Sequence, residues 1–174
     1  DEDRKVEEDI RRIVKRLREI VEKHNREARE IIKRLRDEVR KHRDKARKIV
    51  TRLDELIKRN TPEEEAKKEV DDVRRRSKEE HDRFDKELKE VRERSKEMAD
   101  KIKEDLDRVR DELRRKIKNK DVLKEAEELL EKVKRDLDRS HEELEELLKR
   151  VREELEDSNR ELEKLIEEVE RKVR

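Results

Sequence analysis

Apolar side chains recur along this chain at helical spacing, and the whole arrangement returns after eighteen residues. Residues 15–32, KRLREIVEKHNREAREII, align almost position for position with residues 33–50, KRLRDEVRKHRDKARKIV. In this frame Val6, His24 and His42 are equivalent, as are Ile10, Ala28 and Ala46, and Ile13, Ile31 and Ile49. A second segment repeats at the same interval through Ala66, Phe84 and Ile102, through Val70, Leu88 and Leu106, and through Ser77, Ser95 and Leu113. A third does so through Ala126, Leu144 and Leu162, and through Leu130, Leu148 and Ile166. Eighteen residues in five turns is about 3.6 per turn, the period of an unstrained α-helix. A heptad would wind the helices into a left-handed supercoil, whereas this spacing keeps each seam on one side of a nearly straight rod. At 100° per residue the seam covers roughly 120° in the first and third segments and roughly 80–100° in the second, the width of a core-facing stripe.

Two breaks divide the three segments. At Arg59-Asn60-Thr61-Pro62-Glu63-Glu64, Asn60 suits a helix C-terminus, Thr61 an N-cap and Pro62 a first helical position, with Glu64 closing a capping box. At Lys118-Asn119-Lys120-Asp121 the expectation is a left-handed Asn119 and an Asp121 cap. Loops this short join antiparallel neighbours. The pattern predicts an all-α, up-down-up antiparallel three-helix bundle in one domain spanning 1–174, with helices at about 2–59, 62–118 and 121–173 and a length of roughly 80 Å.

Polar residues interrupt the seams in two of the three repeats. The first helix carries His24 and His42 near mid-seam; the second carries Ser77 and Ser95 there, with His81 at the edge; the third carries Ser140, His141, Ser158 and Asn159 toward its edges. In the remaining repeat the equivalent sites hold Val6, Leu113, Ile117, Val122 and Leu123, so they are core sites. Up-down-up folding pairs residues whose numbers sum to about 121 across the first turn and about 240 across the second. His24, Ser95, Ser140 and His141 then share one layer, and His42, Ser77, His81, Ser158 and Asn159 another. A buried donor or acceptor left unpaired costs on the order of 1–3 kcal/mol, so polar groups arriving from three helices are expected to close on one another as a network. Register slips or wrong helix orders would orphan its members. Asn25 and Thr51 align with Arg43 and Lys33 and are expected at the surface.

Composition alone points the other way. With 64% charged and 28% hydrophobic residues the chain has the profile of a disordered protein, and only the period overrules that. Glycine is absent and proline occurs once, which leaves helix as the one regular structure with no internal punctuation. The 56 basic and 55 acidic residues are interleaved along the chain, without the basic tract that would mark a phosphate-binding face. By segment, 22 basic and 15 acidic residues in 1–60 give +7, and 13 and 20 in 121–174 give −7, which favours placing the first and third helices side by side. There is no cysteine, and no apolar run long enough for a signal peptide or membrane span, so location is left unassigned beyond soluble recombinant expression.

Taken together, the eighteen-residue period, the TPEEEA loop, the surface saturated in Glu, Lys and Arg and the single aromatic, Phe84, resemble de novo designed, parametrically generated helical bundles with buried hydrogen-bond networks. Spectrin-like natural bundles differ in using heptads, shorter helices and core aromatics. The resemblance implies a structural scaffold with no natural activity. Independently of it, no Gly-rich turn offers an oxyanion hole and no substrate pocket adjoins a Ser–His pair, so no catalytic residue is assigned. Two histidines per layer without cysteine or a buried carboxylate fall short of a zinc site, so no metal, and likewise no cofactor, nucleic acid, membrane or obligatory partner, is expected. The rival reading is a binding or assembly module, either a homo-oligomer or a receptor for a separate fourth helix seated between the first and third. A third reading is a pH-responsive bundle.

Overall fold

The computed structural model describes residues 2–60 and 62–173. It contains three α-helices, α1 (Glu2–Lys58), α2 (Glu63–Lys116) and α3 (Lys120–Val173), and no strand among the described residues. The helix bounds lie within a residue or two of those read from the repeat. The packing gathers into two compact units: Asp1–Glu30 with Val91–Leu147, and Ile31–Glu90 with Leu148–Arg174. Each unit therefore takes one part of α1, one of α2 and one of α3.

The repeat is visible in what is buried. Along α1 the side chains withdrawn from solvent are Ile10, Ala28 and Ala46; Val14, Ile32 and Val50; Leu17, Leu35 and Leu53. Each trio is one position of the eighteen-residue frame, so one face stays turned inward along the helix. In the first unit Ile10, Val14, Leu17 and Val21 of α1 pack with Ile102, Leu106 and Leu113 of α2 and with Val122, Ala126 and Leu130 of α3. Val6 and Leu123 adjoin this cluster, which also holds Leu113. In the second unit Ala46, Val50 and Leu53 pack with Val70 and with Leu162, Ile166 and Val169.

Surface ion pairs report the same register. Lys134 Nζ donates to Asp107 at 2.7 Å, Arg114 Nε to Glu127 at 2.7 Å, and Lys103 Nζ lies 2.7 Å from Asp138, all antiparallel α2–α3 pairs of the first unit. Parallel α1–α3 pairs follow a near-constant offset of 114 residues, Arg29–Glu143 in the first unit and Arg40–Glu154 and Arg47–Glu161 in the second. Opposite net charge on α1 and α3 is thus expressed as discrete contacts, each worth some tenths of a kcal/mol in exposed positions.

The turns depart from the sequence expectation in one respect. Asn60 has φ 63°, the left-handed conformation that ends α1, but no other described residue has positive φ. Asn119 is instead the N-cap of α3: its Oδ1 accepts from the backbone N–H of Asp121 at 2.9 Å and of Val122 at 3.4 Å. Asp121 thus lies inside the helix, where its charge faces the positive end of the helix dipole. The Asp3 carboxylate reaches this turn from α1, accepting from the backbone N–H groups of Asn119 at 3.0 Å and Lys118 at 3.4 Å. The expected Thr61 cap lies outside the described residues.

Candidate functional site: two polar layers and an open groove

The first polar layer lies in the first unit. His24 Nε2 and Ser95 Oγ share a hydrogen bond of 3.2 Å between α1 and α2. Ser95 is buried and His24 half-buried, since His24 stands at the edge of the α1 seam that faces α2. Ser140 of α3 is not joined to this pair. It accepts a hydrogen bond from Asn25 Nδ2, the residue beside His24 on the α3-facing edge of α1. Asn25 is half-buried, which corrects the surface assignment; Thr51 is exposed and bonds the carbonyl of Arg47 within its own helix. The misassignment has a simple cause. Arg43 occupies the equivalent position and is itself half-buried, so a charged residue in one repeat does not make the position an exposed one. His141 sits at the seam edge, half-buried, with Nε2 3.4 Å from Glu145 Oε1 one turn along its own helix. The layer is therefore two separate inter-helix hydrogen bonds with His141 outside both.

The second layer lies in the second unit and is built differently. His42, Ser77, His81, Ser158 and Asn159, one or two from each helix, line a single gap of about 10 Å³ together with Leu155 and Leu162. That is close to the least volume that holds one water. Ser77 and Ser158 are buried and the other three half-buried. Among the described residues none of the five hydrogen-bonds another directly. His42 instead meets the edge of Phe84, ring centroids 6.3 Å apart at 63°, and its Nε2 is buried without a hydrogen-bond partner. His81 Nδ1 is 3.7 Å from Asp82 Oδ1, a solvent-side contact.

Both α1 histidines have pKa values lowered from the ordinary 6.5. Burial is the main cause at each; Glu27 opposes it at His24, while at His42 Glu80 opposes it and Arg83 and Lys45 reinforce it. No group of three or more His, Cys, Asp or Glu side chains is arranged to hold a metal ion among the described residues, and no described helix is long and apolar enough to cross a membrane.

One further buried polar group escaped the sequence reading. Glu7 is 3% exposed, its carboxylate accepting from Arg11 at 2.9 Å and Arg4 at 3.2 Å, the neighbours one turn either side. It occupies the same position of the frame as Asn25 and Arg43, the α3-facing edge of α1, so the clue was a polar residue recurring at one edge position in all three repeats.

A groove of about 430 Å³ opens in the second unit, between α1 and α2, floored by Ala46, Ser77 and Phe84 and flanked by His42, Ile49 and Val73. The rival reading seats a fourth helix between the first and third; that seam is bridged in this unit by Arg40–Glu154, Arg47–Glu161 and a Lys172–Asp54 hydrogen bond of 2.7 Å.

In a search of solved structures the chain is similar to one described as a "Computationally designed three helix bundle", with TM-score 0.61 and 16% identity over 98% of this chain and 87% of that one. That likeness establishes the three-helix fold and agrees with the resemblance read from the sequence. No family model matches the chain, and no curated protein matches it in sequence.

Proposed function

We propose that this chain is a designed structural scaffold with no natural biochemical activity, in which the buried His, Ser and Asn positions specify helix register. The observation that carries this reading is the convergence of His42, Ser77, His81, Ser158 and Asn159 from three helices on one water-sized gap in the otherwise apolar core of the second unit. Catalysis finds no support in that arrangement, because among the described residues none of the five hydrogen-bonds another, so no Ser–His pair is set as nucleophile and base. A register cue fits it better. Sliding one helix by a repeat leaves apolar opposite apolar over most of the seam but sets the polar groups against leucine and valine, as at Leu113 and Val6.

The test separates specificity from stability. Replacing His42, Ser77, His81, Ser158 and Asn159 together by apolar residues should leave the chain helical and its denaturation midpoint unchanged or higher, since a fully apolar layer removes the desolvation cost of polar groups. Replacing His42 alone by Ala should lower the midpoint, by about 1–2 kcal/mol in stability, because it leaves a void against the Phe84 ring. A full-layer replacement that unfolds the protein would refute the reading.

A further inference from the structure

The three seams between helices are not closed alike. In the second unit α1–α3 and α2–α3 are each bridged by several ion pairs, the latter by Arg74 to Glu163 and Glu170 and by Arg152 to Asp85. Among the described residues of that unit one pair crosses α1–α2, Arg83 to Glu38 at 3.7 Å, and Arg83 also lies over the Phe84 ring at 4.6 Å. Here the groove opens. Its α1 wall carries Ile49, 38% exposed. Ile31 and Leu56, both half-buried, lie on the same side of α1, and with Glu38 between them the four are spaced seven, eleven and seven apart.

Beyond this line, in which Glu38 interrupts the apolar side chains, the outer flank of α1 is cationic, while the α2 wall opposite carries both signs, Arg76 and Arg83 beside Glu79 and Glu80. Within residues 31–58 an arc of about 60° at 100° per residue holds Arg34, Lys41, Lys45, Lys48 and Arg52 and no acidic residue. Arg34 pairs with Glu38 of its own helix; Lys41, Lys45, Lys48 and Arg52 are exposed and have no ion pair among the described residues. Charges interleaved along the chain are thus sorted around the helix, which a reading of the linear sequence as evenly mixed does not reveal.

We propose that the α1–α2 groove of the second unit is a docking site for a separate, acidic amphipathic α-helix. Its apolar residues would cover Ile49 and enter the hole over Ala46 and Ser77, and its carboxylates would meet Lys41, Lys45, Lys48 and Arg52. The groove offers no sheet edge for an extended peptide, whereas a helix of the same 3.6-residue period can follow the seven and eleven spacing. A second copy of this chain is a poor occupant. Pairing Ile49 of one copy with Ile49 of another would oppose two cationic flanks. This inference goes beyond the scaffold reading, and its test does not involve the polar-layer substitutions.

The probes are two synthetic peptides of about 25 residues, long enough to form a helix on binding. Both carry leucine at the seven and eleven spacing; one has glutamate at the flanking positions and the other lysine at the same positions. By calorimetry the intact protein should bind the glutamate peptide at least about tenfold more tightly than the lysine peptide, with the advantage shrinking as salt rises. A variant carrying K41E, K45E, K48E and R52E, all at exposed positions, should reverse that preference. Ile49→Asp should abolish binding of either peptide while circular dichroism shows the helix content retained. Equal affinity for both peptides, no binding of either, or preference unaltered by the charge reversal would overturn the proposal. So would binding of anionic lipid vesicles without binding of the glutamate peptide, which would make the face a membrane-surface one, and so would dimerisation that Ile49→Asp removes.

Discussion

His24 and His42 stand at one position of the repeat and meet different surroundings. The first has a serine across the seam at 3.2 Å; the second has a phenyl ring and a buried, unpartnered Nε2. Burial lowers both pKa values below 6.5, so the neutral form is favoured by folding. The stability linked to each is then fully present above pH 6.5 and is lost as pH falls through 6.5 toward the depressed folded value. The slope is bounded at about 1.4 kcal/mol per pH unit for each histidine, and half-exposure reduces it to some tenths. Chemical melts at about pH 7.5, 6 and 4.5 should therefore show the parent losing more stability with acid than a variant with both histidines changed to Val, the residue at position 6. Equal losses would mean that the charged imidazoles are as well accommodated as the neutral ones.

At the scale of elements, the turns make unequal demands on two asparagines. Asn60 is held at φ 63°, so Gly there should be neutral or slightly stabilising, whereas a β-branched residue such as Val should cost about 1–2 kcal/mol. Asn119 caps α3 through its side chain, so Asn119→Ala should cost about 1 kcal/mol and Asn119→Gly only a few tenths. Denaturation midpoints of the four variants check both assignments. A left-handed Asn119, as the sequence suggested, would instead make Asn119→Gly neutral or stabilising. The helices and their register were legible because an eighteen-residue period leaves almost no freedom in either. Their edges were not. Ile13, Ile31 and Ile49 share one wheel position with equal claim to the core, yet Ile13 is 41% exposed, Ile31 half-buried and Ile49 38% exposed. A helical projection gives each residue an angle, but an edge residue is covered only if the neighbouring helix presents bulk at that level. The same limit hid Asn25 and Glu7, which α3 covers from the other side.

For the whole molecule, the expectation is a monomer, with charge opposing self-association. The large hydrophobics exposed among the described residues, Ile13, Ile20 and Ile49, are all on α1, and the arc beside Ile49 in 31–58 is cationic. Sedimentation should give a mass of 21.6 kDa across the micromolar range at low salt. A species of twice or three times that mass would place the isoleucines in a self-interface and remove the argument for an acidic partner. The repeat that produced this core has a different kind of consequence. Five turns return every buried side chain to its own face, as Ile10, Ala28 and Ala46 show, so removing or adding eighteen residues in all three helices together would be invisible to the packing. Length is then an adjustable dimension, quantised at about 27 Å per block, and each block can be given an apolar or a polar layer without renegotiating its neighbours.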